Sequence, residues 1–375
     1  MSSVTEILDR LVGFPSVVGK PNAPIVSYVK EYFIRHGATV VELPGPEGDR
    51  SNLFASFGPL DRPGLILSGH MDVVPAGGSG WTSDPFVLRR DGQRLYGRGT
   101  TDMKGFLAAA MAIVPEVAGE RLERPLHFAF SYDEEVGCKG VPHMIERIPS
   151  LCALPFGCIV GEPSGMTPIL AHKGKAAARV SVEGTAGHSS RPDLSLNAIH
   201  ALSGLLAKAV AQSESLQTAD RNALFTPPYS TLQVGVVSGG QALNISPQHA
   251  AFEMEVRAIP GVPPAGLFAP VLEMTADLEA KGFKITAEQI AEYPGMALPA
   301  DSELAALMTA ATGREAVKAV SYGTEAGLFE NLGIPSIICG PGDIDRAHKV
   351  DEYVLLSELE DCCRVIRNVI ARLKH

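Results

Sequence analysis

The sequence predicts an α/β protein in which a small domain interrupts a larger one. Three observations carry this. Apolar, strand-like runs alternate with helical patterns at the start of the chain, a β-α-β-β-α-β order replaces them in the middle, and the alternation resumes near the end. At 375 residues the chain is also too long for one ordinary core.

Residues 4–12 and 25–36 space their apolar side chains as amphipathic helices, and short strands follow at 39–43 and 52–57. Residues 64–69 form a continuous apolar run, as in a buried strand, ending at His70-Met71-Asp72. Residues 87–90 and 94–96 predict a hairpin about Asp91-Gly92. Gly97-Arg98-Gly99-Thr100-Thr101-Asp102 then leads into a helix over 103–117. A second buried strand, 126–130, exits into Ser131-Tyr132-Asp133-Glu134-Glu135, and a third, 158–160, into Gly161-Glu162-Pro163. In the middle come a strand at 177–183, a helix at 195–211, strands at 231–237 and 250–258, a helix at 264–281 and a strand at 283–288. That is the split βαβ order of a ferredoxin-like domain. The expected division is therefore 1–176 and 290–375 for the larger domain and 177–289 for the insertion. Three successive domains would leave the last part, with its helix at 355–373, without a core of its own.

The net charge of −10, from 32 basic and 42 acidic residues, argues against nucleic acid or an anionic membrane as the partner. No run approaches the ~20 apolar residues of a membrane span, and residues 1–10 lack a charged-then-apolar leader pattern. The six cysteines show no paired or framework spacing, so they read as reduced thiols in a cytoplasmic protein.

Histidines and carboxylates gather where strands end: His70, Asp72, Asp102, Glu134, Glu135, Glu162 and, late in the chain, His348. Singly, each has an ordinary explanation. Asp102 could cap the helix after it, Glu162 could be a turn residue, and His348 could be a surface histidine. Jointly they form an imidazole and carboxylate set without cysteine, which suits a catalytic metal site rather than a closed structural one. Five such ligands are too many for one ion that must keep an open position. They suit two ions roughly 3.5–4 Å apart with a bridging carboxylate.

His70-x-Asp72, Gly99-Thr100-Thr101-Asp102-Met103-Lys104-Gly105, Asp133-Glu134-Glu135-Val136-Gly137 and Gly161-Glu162-Pro163 together resemble the dinuclear metallopeptidase family of aminoacylases, carboxypeptidases and desuccinylases. The resemblance covers essentially the whole chain. It implies a larger dinuclear metallohydrolase domain with a smaller inserted lid or dimerisation domain, and a homodimer. It also implies two divalent ions, zinc first and cobalt second, with His70 and Glu162 on one, Glu135 and His348 on the other, and Asp102 bridging. Glu134 becomes the general base, and Asp72 orients His70. His188, in Gly187-His188-Ser189, is expected to support the oxyanion, in its own or a partner's site. Asn244 and Arg257 are expected to hold the substrate's carboxylate.

Ser321-Tyr322-Gly323-Thr324-Glu325-Ala326-Gly327 and Ala347-His348-Lys349-Val350-Asp351-Glu352-Tyr353 resemble the branch of that family that removes the acetyl group from N-acetylornithine. There Glu325 is expected to meet the substrate's side-chain amine. A desuccinylase, or a broader hydrolase of N-acyl amino acids, is the alternative enzyme. A binding protein that has lost catalysis is the alternative outside enzymes, but neither Glu134 nor any expected ligand is missing.

Overall fold

The computed structural model describes residues 3–77, 80–317, 319–320 and 322–374; Ser321, at the head of the late motif, lies outside these. The chain divides into two compact units. The first comprises Met1–Ala171, Met296–Lys318 and Thr324–His375, and the second His172–Gly295 with Ala319–Gly323.

In the first unit a six-stranded sheet runs in the order Thr39–Pro44, Ser51–Phe57, Leu126–Ser131, Leu65–His70, Gly157–Pro163, Ser336–Gly340. The first two strands pair antiparallel, while the last four are mutually parallel. Leu126–Ser131, Leu65–His70 and Gly157–Pro163 are buried along their whole length. Parallel strands covered on both faces read as continuous apolar runs, which is how the sequence shows them. His70 pairs with Ser131 and Ser68 with Val160, so the three strands release their histidine and carboxylates at one carboxyl edge. In an open α/β sheet that edge is where ligands bind.

Helices complete this core. In Val4–Val12, a reciprocal capping box between Ser3 and Glu6 satisfies the free amides of the first turn, and Ile7, Leu8, Leu11 and Val12 are buried. Lys104–Val117 contacts both this helix and the C-terminal Leu356–Leu373. The hairpin forms as Arg89–Asp91 and Arg94–Tyr96, with Gly92 at φ +59°, the left-handed turn position that glycine takes without strain. Tyr353–Leu355 adds a third strand to it, which the sequence did not announce.

The second unit holds a four-stranded antiparallel sheet in the order Thr231–Gly239, His249–Ala258, Gly174–Glu183, Lys284–Tyr293. This is the ferredoxin-like order expected from the sequence. Burial alternates along Gly174–Glu183, and the inner face packs on the helix Ala198–Leu216 in one apolar cluster. The expected second helix over 264–281 is broken into a 3-10 turn, Ala265–Phe268, and short helices Ala269–Leu272 and Thr275–Ala280. Pro270 accounts for the first break, since it carries no amide proton to continue the ladder from the preceding turn.

Candidate metal centre

His70 ends its strand fully buried. Its Nδ1 lies 2.9 Å from the main-chain oxygen of Asp72, a bond that places the proton on Nδ1 and turns Nε2 toward the carboxylates. Nε2 is 3.1 Å from Asp102 Oδ1 and 3.8 Å from Glu162 Oε1. The other oxygen of Asp102 lies 3.2 Å from His348 Nε2, which is 3.0 Å from Glu135 Oε2. The donors thus form two groups, His70, Asp102 and Glu162 and then Asp102, Glu135 and His348, each with its ligand atoms within 4.8 Å of one another. Asp102 belongs to both and gives one oxygen to each. That is the geometry a pair of cations sharing a carboxylate requires.

Electrostatics point the same way. Burial pushes the Glu162 carboxyl well up, and the neighbouring charges of Asp102 and Glu134 add to it. Glu134 is pushed up to about 8, first by burial and then by Glu135, Glu325 and Asp72, against the opposing pull of His70. Burial also raises Glu135. His348 is pushed up to about 10 by its bonds to Asp102 and Glu135. Burial disfavours the charged form of His70, yet its bond to Asp102 and the charges of Asp72 and Glu162 carry its pKa well above the ordinary value. Asp102 goes the other way: burial would raise it, but its bonds to His348 and His70 carry it down and keep it ionised. With protons drawn onto the remaining carboxyls and the imidazoles, the site carries more negative charge than its surroundings favour. Divalent cations on oxygen and imidazole nitrogen would answer that demand, so the donor set fits metal.

The loop bearing the glutamate pair is held from two sides. Asp72 accepts the main-chain amides of Glu134 and Glu135, both at 3.2 Å, through its two carboxylate oxygens. Its hydrogen bond to His70 is therefore through the main-chain carbonyl, while the carboxylate, 3.7 Å from Nδ1, acts on the ring by its charge. On the other side, Asp133 accepts the Gly19 amide at 2.8 Å and forms an ion pair with Arg50. These contacts hold Asp133 at φ +52°, a region a residue with a side chain rarely enters. Glu134 is left half-buried, with the Cys138 thiol 3.3 Å from Oε1. Sequence reasoning missed both Arg50 and the grip of Asp72, because their partners lie 62 to 83 residues away.

Glu325, expected to meet the substrate's side-chain amine, is already engaged within the sheet. Its side chain is fully buried, with Oε1 accepting Ser68 Oγ at 2.6 Å and Oε2 accepting Ser131 Oγ at 2.7 Å. It bonds two neighbouring strands together, each oxygen accepting one hydroxyl.

His188, Asn244 and Arg257 belong to the second unit. Exposed His188 receives the Ser190 amide on Nδ1 at 3.2 Å, so a neutral ring carries its proton on Nε2, free to donate. Asn244 is exposed, and its main-chain oxygen accepts the Ser189 amide. Arg257 gives its Nε to Glu255 at 2.7 Å, and Glu255 also pairs with Lys175. Part of the fork expected to meet a substrate carboxylate is thus engaged on its own strand.

Residues 66–372 match Peptidase family M20/M25/M40. The acetylornithine deacetylase of Erwinia tasmaniensis is 31% identical over 380 residues, covering 99% of this chain and 97% of its own length. Among solved structures, a family M20 metallo-carboxypeptidase from Sulfolobus solfataricus superposes with a TM-score of 0.81 at 17% identity, covering 100% of both chains. A dinuclear metal binding peptidase of the same family from Bacillus subtilis superposes at 0.66 with 14% identity, covering 99% of this chain and 97% of its own. With the family match spanning most of the sequence, the chain is a metal-dependent hydrolase that belongs to peptidase family M20/M25/M40.

Proposed function

We propose that this enzyme hydrolyses the acetyl amide of N2-acetyl-L-ornithine to L-ornithine and acetate, a step of arginine biosynthesis. The reading rests on the two donor groups that share Asp102, with Glu134 beside them. His70 and Glu162 would hold one ion, Glu135 and His348 the other, and Asp102 both. Zinc is the first choice for such a set and cobalt the second. Bound there, the cations would polarise the amide carbonyl and make the attacking water acidic near neutral pH. Glu134 takes the proton of that water and returns it to the departing amine, one carboxyl serving in both directions. Asp72 fixes the height of Glu134 and Glu135 through their amides. His188 donates from Nε2 to the developing oxyanion, and Asn244 and Arg257 hold the substrate carboxylate; family resemblance supports these three roles.

The choice of acyl substrate rests on the relatives' names. Burial of Glu325 removes a reason to expect a cationic side chain, and so favours a broader N-acyl-amino-acid hydrolase as the second reading. The deciding experiment compares N-acetylornithine, N-succinyl-diaminopimelate and N-acetylmethionine on metal-stripped protein refilled with zinc or cobalt. Preference for acetylornithine, abolished by chelation, supports the first reading. Equal turnover of acetylmethionine supports the second, and no turnover of any amide with two ions bound refutes both.

We further read the protein as a cytoplasmic homodimer without nucleic-acid or membrane partners. The edge strand Thr231–Gly239, with Val236 and Val237 exposed, is a surface that a second copy could cover. No helix among the described residues is long and apolar enough to cross a membrane. Sedimentation showing only monomer at micromolar concentration would reject the dimer.

A further inference from the structure

One buried carboxylate outside the donor groups gathers more hydrogen bonds than any proposed ligand. Glu352 is 1% exposed. Its Oε1 accepts the main-chain amides of Thr101 at 2.9 Å and Asp102 at 3.0 Å. Its Oε2 accepts the Gly99 amide at 2.9 Å and Arg98 Nη1 at 2.7 Å. All four donors lie on the loop that delivers Asp102. The main chain continues the seam: Gly97 donates to the Glu352 carbonyl at 3.0 Å, and Thr101 Oγ1 to the Tyr353 carbonyl at 2.6 Å.

Glu352 stands four residues beyond His348. Between them the backbone turns through two positive φ angles, +59° at His348 and +54° at Asp351. Residues with side chains hold such angles only where surrounding contacts enforce them. Two contacts do so here: Asp351 accepts the Thr82 amide at 3.0 Å, and Arg98 Nη1 also reaches the Lys349 carbonyl at 3.3 Å. Asp102 and His348, 246 positions apart in the sequence, are thus held in one frame with Glu352 at its centre.

We propose that Glu352 is a positioning residue that sets the spacing of Asp102 and His348, and so governs the site formed by Asp102, Glu135 and His348 selectively. The inference builds on the two-ion reading above. The His70, Asp102 and Glu162 group takes two of its three donors from strands of the buried sheet, which do not depend on Glu352. Loosening the 97–102 loop therefore releases one ion before the other.

The test is zinc titration of metal-stripped protein by calorimetry, with cobalt absorption spectra of the refilled protein as an independent readout. Glu352→Gln keeps the shape but turns an amide NH2 toward two of the four donors. The expected result is one ion bound as in the unaltered protein and the second about 10–100-fold more weakly, with a cobalt spectrum altered in the contribution of one ion only. At saturating zinc, kcat should recover more than KM shifts. Arg98→Lys removes the guanidinium but leaves the carboxylate and three amide bonds. It is the milder variant should Glu352→Gln fail to fold, and it should weaken the same ion alone. Equal weakening of both ions, or of neither, in a folded variant overturns the proposal while leaving the two-ion reading intact. Fewer than two ions on the unaltered protein would overturn both.

Discussion

Replacing Glu325 separates the role expected from the sequence from the role the structure gives it. In Glu325→Ala, Ser68 can turn to the Ala129 carbonyl, 3.2 Å away, but Ser131 loses its carboxylate partner. A buried hydroxyl left without its partner costs about 1–3 kcal/mol. The vacated carboxymethyl space adds ~1 kcal/mol at the usual ~24 cal/mol per Å3 of cavity. Relief of a buried charge offsets part of this, leaving a net loss of about 2–3 kcal/mol, or a fall of roughly 4–12 °C in Tm at 2–4 °C per kcal/mol. Glu325→Gln differs, because its amide can accept from one serine and donate to the other. Burial raises the Glu325 pKa, so the folded state holds the proton more tightly than the unfolded chain. The unaltered protein therefore loses stability as pH rises from the ordinary carboxylate range through the raised folded value, a loss the glutamine variant escapes. Its Tm relative to the parent should improve with rising pH. Thermal unfolding and steady-state kinetics decide the matter together. With its role spent on Ser68 and Ser131, Glu325→Gln should leave the ratio of KM for acetylornithine to KM for acetylmethionine unchanged within about twofold, under ~0.4 kcal/mol by the tenfold-per-1.36 relation. A rise of tenfold or more for the cationic substrate alone would put this carboxylate against the substrate and refute the reasoning.

Glu134→Gln should keep two ions, by metal analysis, while kcat falls about 10²–10⁴-fold, the usual worth of a positioned proton carrier; turnover near that of the parent would remove Glu134 from its role. Glu135→Ala should bind one ion fewer under the same dialysis, and retention of both would exclude it as a ligand. Removing metal with a chelator should lower Tm and restoring zinc should recover it, by about 2.7 kcal/mol when free zinc is 100-fold above Kd. Burial holds His127 down to about 4, stacked on Phe54 with Nδ1 against Ser56. The unfolded chain takes up this proton first, so stability falls as pH drops from 6.5 toward 4, by up to about 3 kcal/mol. His127→Gln should flatten that part of the curve without abolishing it, since His172 is also held down to about 4. An unchanged acid limb would show that His127 does not contribute.

What the sequence made legible follows from the range of the forces involved. His70, Glu134 and Glu162 stand out in the sequence because a buried parallel strand announces itself as an apolar run, and polar residues at or just past its end break that run. Asp102 stands out because glycine and threonine turn the chain just before a helix. Pro270 is equally visible and marks the first break in the expected helix over 264–281. Glu325 could not have been placed from its motif alone. A glutamate before Ala326–Asn331 reads the same whether it faces solvent or lies beneath two strands, and only its bonds to Ser68 and Ser131, 257 and 194 residues away, decide which.

The buried carboxylates of the larger unit divide by what donates to them. Asp72, Asp133, Glu325 and Glu352 receive main-chain amides, a guanidinium or serine hydroxyls, so both oxygens of each already accept a bond. Asp102, Glu135 and Glu162 meet only imidazole among the described residues, and the three meet in the two candidate groups. An amide proton is fixed by the backbone and cannot be exchanged for a cation. A histidine can turn its lone pair toward one instead. The first set therefore builds the frame, and the second is what the frame leaves available for metal. Both sets are aspartates and glutamates, alike in the sequence. The amides that tell them apart exist at those positions only after the strands have paired, so burial combined with donor type, rather than residue type, separates scaffold from ligand here.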